Sequence, residues 1–249
     1  MQQNHFNSLR IWLGRTVLFL ALLLPGCASL HPVSSEAELE TLYNRAILDA
    51  EIAEPNEISS NLIAIVPENK DLVWRKDREG NANVLVTTWT KYPGYDDKIG
   101  QPMDLQIDIW VTAVPEMKNR CRSISGDQTL RIKQLLGLPL RAGYTKFVEM
   151  WVKPTDLFRP TADPEITDHQ AEIDFRPANP FTTLSDDYRK WFAAQKKTSY
   201  QTNGYPWTRL GYTYDWGNPD HPEGLSEFII IKGARVEIKA VTSTADYCR

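Results

Sequence analysis

No basic surplus runs through this chain: 28 Lys and Arg face 32 Asp and Glu over 249 residues, a formal net charge of −4. The first 26 residues hold two of those cations, Arg10 and Arg15, and no acid. Residues 27–249 therefore carry 26 basic against 32 acidic side chains, a net of −6. An acidic balance excludes a nucleic-acid partner, which requires a positive face or stripe. Histidine is scarce too: of four, only His31, His169 and His221 lie beyond residue 26. No HExxH, GxSxG or SxxK string occurs and no EF-hand spacing, so no cofactor or metal is expected. No apolar run reaches 18 residues, which excludes a spanning helix of ordinary length. No internal repeat or low-complexity linker divides the chain. What remains is an ordinary globular composition, 42% hydrophobic and 24% charged, long enough for one large domain.

The N-terminus is distinctive. Arg10 and Arg15 precede an apolar stretch from Thr16 to Leu24, the layout of a secretory signal. Leu24-Pro25-Gly26-Cys27-Ala28-Ser29 follows at once. This segment resembles the lipobox of bacterial lipoproteins. The resemblance implies cleavage after residue 26, acylation of Cys27 on its sulfur and new amino group, and, with Ala28 next, sorting to the periplasmic face of the outer membrane. Acyl chains contribute about 0.8 kcal/mol per buried CH₂, so several anchor a domain stably without spanning. An acidic domain gains nothing from anionic lipid through its net charge, so the anchor must be covalent. Residues 28–34 form a tether.

With Cys27 assigned to lipid, Cys121 and Cys248 remain. In an oxidising compartment an even remainder reads as one disulfide. Its loop would contribute about 4–5 kcal/mol in the chain-entropy model. Two isolated buried thiols are the alternative.

Residues 35–249 read as a single α+β domain with a mainly antiparallel sheet and about three packed helices. Ser35-Glu36-Ala37-Glu38 is a capping box opening a helix to about Ala53, stopped by Pro55. Leu62–Val66, Leu72–Lys76 and Val84–Thr90 are β-rich, the last two flanking a turn at 77–81. Met103–Val114 alternates like one long strand, with Trp110 among polar residues on its second face. Residues 116–136 read as helix in two pieces broken near Ser125-Gly126. Phe147–Val152 is a strand, 153–183 a proline-rich loop, and Ser185 caps a helix to about Lys197. Strands Thr208–Trp216, Leu225–Ile231 and Ala234–Thr242 follow, the last two predicted to pair as a hairpin around Lys232-Gly233.

The densest unusual segment is 205–217. As a strand it aligns Thr208, Leu210, Tyr212, Tyr214 and Trp216 on one face, with Arg209, Gly211, Thr213 and Asp215 on the other. Together with Trp207, such an aromatic ladder suits a sugar-ring or peptide platform, peptidoglycan being the obvious envelope glycan. The alternative is a sheet face packed into the core by large aromatics. Asp163, Glu165, Asp168, His169, Glu172 and Asp174 crowd one loop; Asp215, Asn218, Asp220 and Glu223 surround His221 in another. Both read as solvated turns, with weak calcium potential. Finally, Leu225-Ser226-Glu227 with the apolar run to Ile238 is similar to the C-terminal hairpin of mono-ADP-ribosyltransferases. The resemblance covers some 15 residues, and Leu225 replaces the first Glu of the usual Glu-x-Glu. It would give Glu227 the role of orienting the nicotinamide ribose and stabilising an oxocarbenium-like transition state. The expected function is thus a lipid-anchored binding or envelope-assembly module, with an enzyme using Glu227 as runner-up and a structural partner of another envelope protein as a third class.

Overall fold

The computed structural model describes residues 35–177 and 184–249. The leader, the lipobox with Cys27, and residues 178–183 of the proline-rich segment lie outside them. Helix α1 spans Glu36–Ala50, and its capping box is formed: Ser35 N–H donates to the Glu38 carboxylate at 2.7 Å, and Glu38 N–H donates to the Ser35 hydroxyl. Strands β1 (Trp74–Lys76) and β2 (Ala82–Thr90) pair across a turn whose N–H groups are taken by Asp77. The predicted strand at 62–66 does not form. That stretch is tied by Leu62 N–H to His169 O and Ile65 N–H to Ile166 O, outside any ladder.

The predicted long strand 103–114 is two strands serving different partners. β3 (Pro102–Asp104) pairs far from β4 (Ile109–Ala113), because Leu105 is held to Ala234 and Gly233, and Asp108 accepts from Lys232 N–H and Trp191 Nε1. Helix α2 (Val114–Arg122) starts with Pro115 in its first turn, where no N–H is needed, and α3 (Gln128–Leu135) is capped by Asp127. The order continues with β5 (Lys146–Val152), β6 (Leu157–Phe158) and α4 (Asp186–Ser199), the last capped by Ser185. β7 (Tyr212–Tyr214), β8 (Glu223–Ile230), β9 (Arg235–Ser243) and α5 (Thr244–Tyr247) complete it. The described residues thus hold five α-helices rather than about three, because the two-piece helix counts twice and α5 follows β9 directly.

All strand pairs are antiparallel, in the order β3-β9-β5-β2-β4-β8-β6, with β1 on β2 and β7 on β8. The predicted β8–β9 hairpin is therefore wrong: three strands separate the two. In a flat sheet their separation would be about 19 Å across strands plus a strand length along them. Residues 231–234 bridge about 18 Å at most. The sheet must curl, and the 231–234 turn is a corner.

One face of the sheet is mainly apolar, with Val84, Val86, Val111, Met150, Phe228 and Ile238 in one buried cluster. The other face packs Trp89, Phe147 and Leu225 against Met117 and Cys121 of α2, Ile132 of α3 and Tyr247 of α5. Cys121 and Cys248 are disulfide-bonded here, with Cα atoms 4.9 Å apart. No described helix is long and apolar enough to cross a membrane.

Candidate functional site

The strand register lines up four polar side chains on the helix-covered face: Glu149 opposite Thr87, Thr87 opposite Thr112, and Thr112 opposite Glu227. All four are buried. Burying polar groups costs free energy unless they are bonded, so their partners matter. Glu149 has two: Lys118 Nζ at 2.6 Å and Lys239 Nζ at 2.7 Å. Burial raises its pKa, but the lysines outweigh that and hold it below the ordinary value. Thr87 donates to Val148 O at 3.2 Å.

Glu227 is different. It is 7% exposed, and its Oε1 has no hydrogen-bond partner. Burial alone raises its pKa well above the carboxylate range. The side chain lines a cleft of about 390 Å³ over β2, β4 and β8. Thr87 and Thr112 lie in the same floor, and Trp89, Trp110, Tyr144, Tyr205 and Trp207 contribute walls. Trp110 sits two residues from Thr112 on the same face, diagonal to Glu227 and within reach of a large ring. Its indole meets Trp207 edge-on, centroids 6.2 Å apart, and Trp207 is braced by Trp191 and Phe192. The charged residues of the lining are Asp108 and Glu227, both acidic.

Of the aromatic segment 205–217, the structure brings Tyr205, Pro206, Trp207, Thr213 and Tyr214 to this cleft, where Glu227 of β8 joins them, and sends the rest elsewhere. The predicted strand 208–216 is cut to Tyr212–Tyr214, because Arg209 and Gly211 both take left-handed backbone, φ 61° and 81°. A Cβ on Gly211 would lie 2.7 Å from Arg159 Cδ. The ladder is core, not platform: Tyr212 donates to Glu57 O at 2.9 Å, and Trp216 donates to Leu138 O at 3.0 Å. Tyr214 donates to Asp49 at 2.7 Å, so its polar tip points away to α1. Arg209 donates to Glu51 O at 2.8 Å, closing the C-terminal end of α1. Asp215 is fully buried in a bidentate pair with Arg131.

The acidic loop at 163–174 is likewise spent on arginines, with Asp168 on the buried Arg159 and Asp163 and Glu172 on Arg176. Among the described residues, no three His, Cys, Asp or Glu are grouped to hold a metal ion. One acid escaped sequence reasoning altogether. Glu116, in the first turn of α2, accepts from Ser226 N–H at 3.2 Å, and its other oxygen has no partner. Burial pushes its pKa up to about 7, against the Ser226 bond. Trp110 and Thr112 were readable only as a mixed second face of a strand; nothing local marks them as a cleft floor and wall.

Scans against protein-family models, curated proteins and solved structures found no match to the chain.

Proposed function

We propose that the protein is a lipid-anchored envelope module that binds a sugar-ring or peptide ligand of the peptidoglycan type in the cleft over β4 and β8. The observation that carries this reading is Glu227, a buried acid with one unbonded oxygen that lines an aromatic-walled cavity. A pocket of mostly apolar walls with a few convergent polar groups is the common form of a small-ligand site. Indole faces stack on apolar sugar or peptide surfaces, and Thr87, Thr112 and Glu227 supply bonds from the floor. The lipobox resemblance supports the anchor and the compartment. The transferase alternative finds less support. Its two strands are not neighbours, and among the described residues no Lys, Arg or His lines the cleft to take a dinucleotide's pyrophosphate.

The test is co-sedimentation of the full-length protein with purified peptidoglycan sacculi. The wild type is expected in the pellet, with Trp110→Ala and Glu227→Gln lost from it. Tyr212→Phe, which alters a bond to Glu57 O outside the cleft, should pellet normally. A wild-type protein left wholly in the supernatant refutes the peptidoglycan reading.

A further inference from the structure

A buried acid normally finds a cation or several donors within its own protein, as Glu149 finds two lysines and Asp215 an arginine. Glu227 finds neither: its Oε1 is buried without a partner, and the residue itself lines a cavity. Among the described residues, the groups around it offer no countercharge. The cleft presents Asp108 from the approach to β4, Tyr144 from the approach to β5, Tyr205 from the loop before β7 and Tyr214 from β7. Tyr200 at the end of α4 and Tyr212 on β7 lie close enough to feel its charge. Glu116 of α2 reaches the neighbouring Ser226 N–H. Arg209, in the loop before β7, is committed to Tyr200 Oη and Glu51 O.

A cavity whose lining holds two acids, indole walls and, among the described residues, no cation attracts positive charge by two routes. One is the carboxylate itself. The other is the negative π-face of tryptophan, which attracts cations within about 6 Å. We propose that the cleft is a receptor for an organic ammonium group carrying at least one N–H, with Glu227 as its counter-ion and Trp110 and Trp207 as its walls. This deepens the preceding reading, in which the ammonium would be a free amino group of the bound peptide. Anionic ligands find no cation among the described lining residues and are disfavoured. In the empty site burial favours the neutral carboxyl, so binding is an exchange: the ammonium enters with its charge, Glu227 loses its proton to solvent, and an N–H of the ligand donates to the carboxylate.

That exchange sets the sign of the pH dependence. Below the pKa of Glu227 in the empty site, ammonium affinity rises with pH, by up to about tenfold per unit. A ligand that only accepts a hydrogen bond from the protonated acid does the opposite. The experiment is calorimetric titration of the full-length protein in detergent with n-butylammonium and with its neutral counterpart n-butyramide at pH 6 and pH 8. At pH 8 the ammonium should bind at least about tenfold more tightly, with proton release detected by comparing buffers of different ionisation enthalpy. Glu227→Gln should erase the preference, and Trp110→Ala should weaken ammonium binding about 2- to 30-fold. Glu116→Gln, outside the cleft, should keep it, and thermal unfolding of each variant establishes that it is folded. Equal binding of the amide, affinity that falls as pH rises, or undiminished ammonium binding by folded Glu227→Gln overturns the proposal. Sacculi with their amines acetylated separate the two readings. Retention on acetylated and untreated sacculi alike defeats the ammonium and leaves the peptidoglycan module. Ammonium binding with no retention on untreated sacculi does the reverse.

Discussion

A carboxyl group moved out of water favours its neutral form, and the difference between its folded and unfolded pKa becomes a pH-dependent stability. Glu116 makes this measurable, since its pKa of about 7 lies above the unfolded value of about 4.5. A raised acid pKa means that the native state holds the proton longer than the unfolded one. The stability contribution is thus fully present below about pH 4.5 and lost as pH rises to about 7, on the order of 3 kcal/mol in all. Denaturant unfolding between pH 5 and 7.5 should show that fall, and Glu116→Gln should reduce it, leaving the share that Glu227 contributes with the same sign. Gly211 poses a backbone question instead. Left-handed φ and the 2.7 Å approach to Arg159 mean that Gly211→Ala strains the chain and crowds a fully buried guanidinium. A loss of about 2–3 kcal/mol is expected by urea titration. Arg209 tolerates the same left-handed region because its guanidinium is fixed by Tyr200 Oη and the end of α1.

Elements whose signals are local were legible. α1 has a reciprocal cap and an apolar stripe of Tyr43, Ala46, Ile47 and Ala50, all within one stretch of chain. Its cap predicts that Ser35→Ala lowers stability by about 1 kcal/mol, read from the denaturation midpoint at unchanged m-value. The strands β2, β5, β8 and β9 were legible as strands for the same reason, but their partners were not. Lys232-Gly233 is a good turn signal, yet a turn dipeptide states only that the chain bends. Whether the next strand pairs back depends on β5 and β4, which occupy the facing edges of β9 and β8. The aromatic ladder failed differently. Its alternation was real in spelling, but the backbone reverses at Arg209 and Gly211, and each ring tip follows its own acceptor into the core. The cleft escaped because it joins residues from β2, β4, β8 and the loop before β7, a juxtaposition that only register creates. Glu227 was singled out through its resemblance to a transferase hairpin that this sheet does not contain.

At the scale of the whole molecule, the Cys121–Cys248 bond fastens α2 to the chain just beyond α5 across a separation of 127 residues. Tyr247 stacks on Phe147 with centroids 4.1 Å apart beside it, so the contact is also packed. Replacing both cysteines by Ser should cost about 2–5 kcal/mol, seen as a lower midpoint in chemical denaturation with the cleft's ligand response retained. The curled sheet has a temporal consequence too. β9 inserts between β3 and β5, and β8 between β4 and the pair β6 and β7, yet both follow all of those partners along the chain. Until they are synthesised, β4 and β5 each present an open edge, the kind of surface that recruits strands from other molecules. Non-local pairing also makes closure slow. Folding is therefore deferred to one late, concerted step, and a chain stalled before residue 223 is a sticky half-sheet in need of a chaperone.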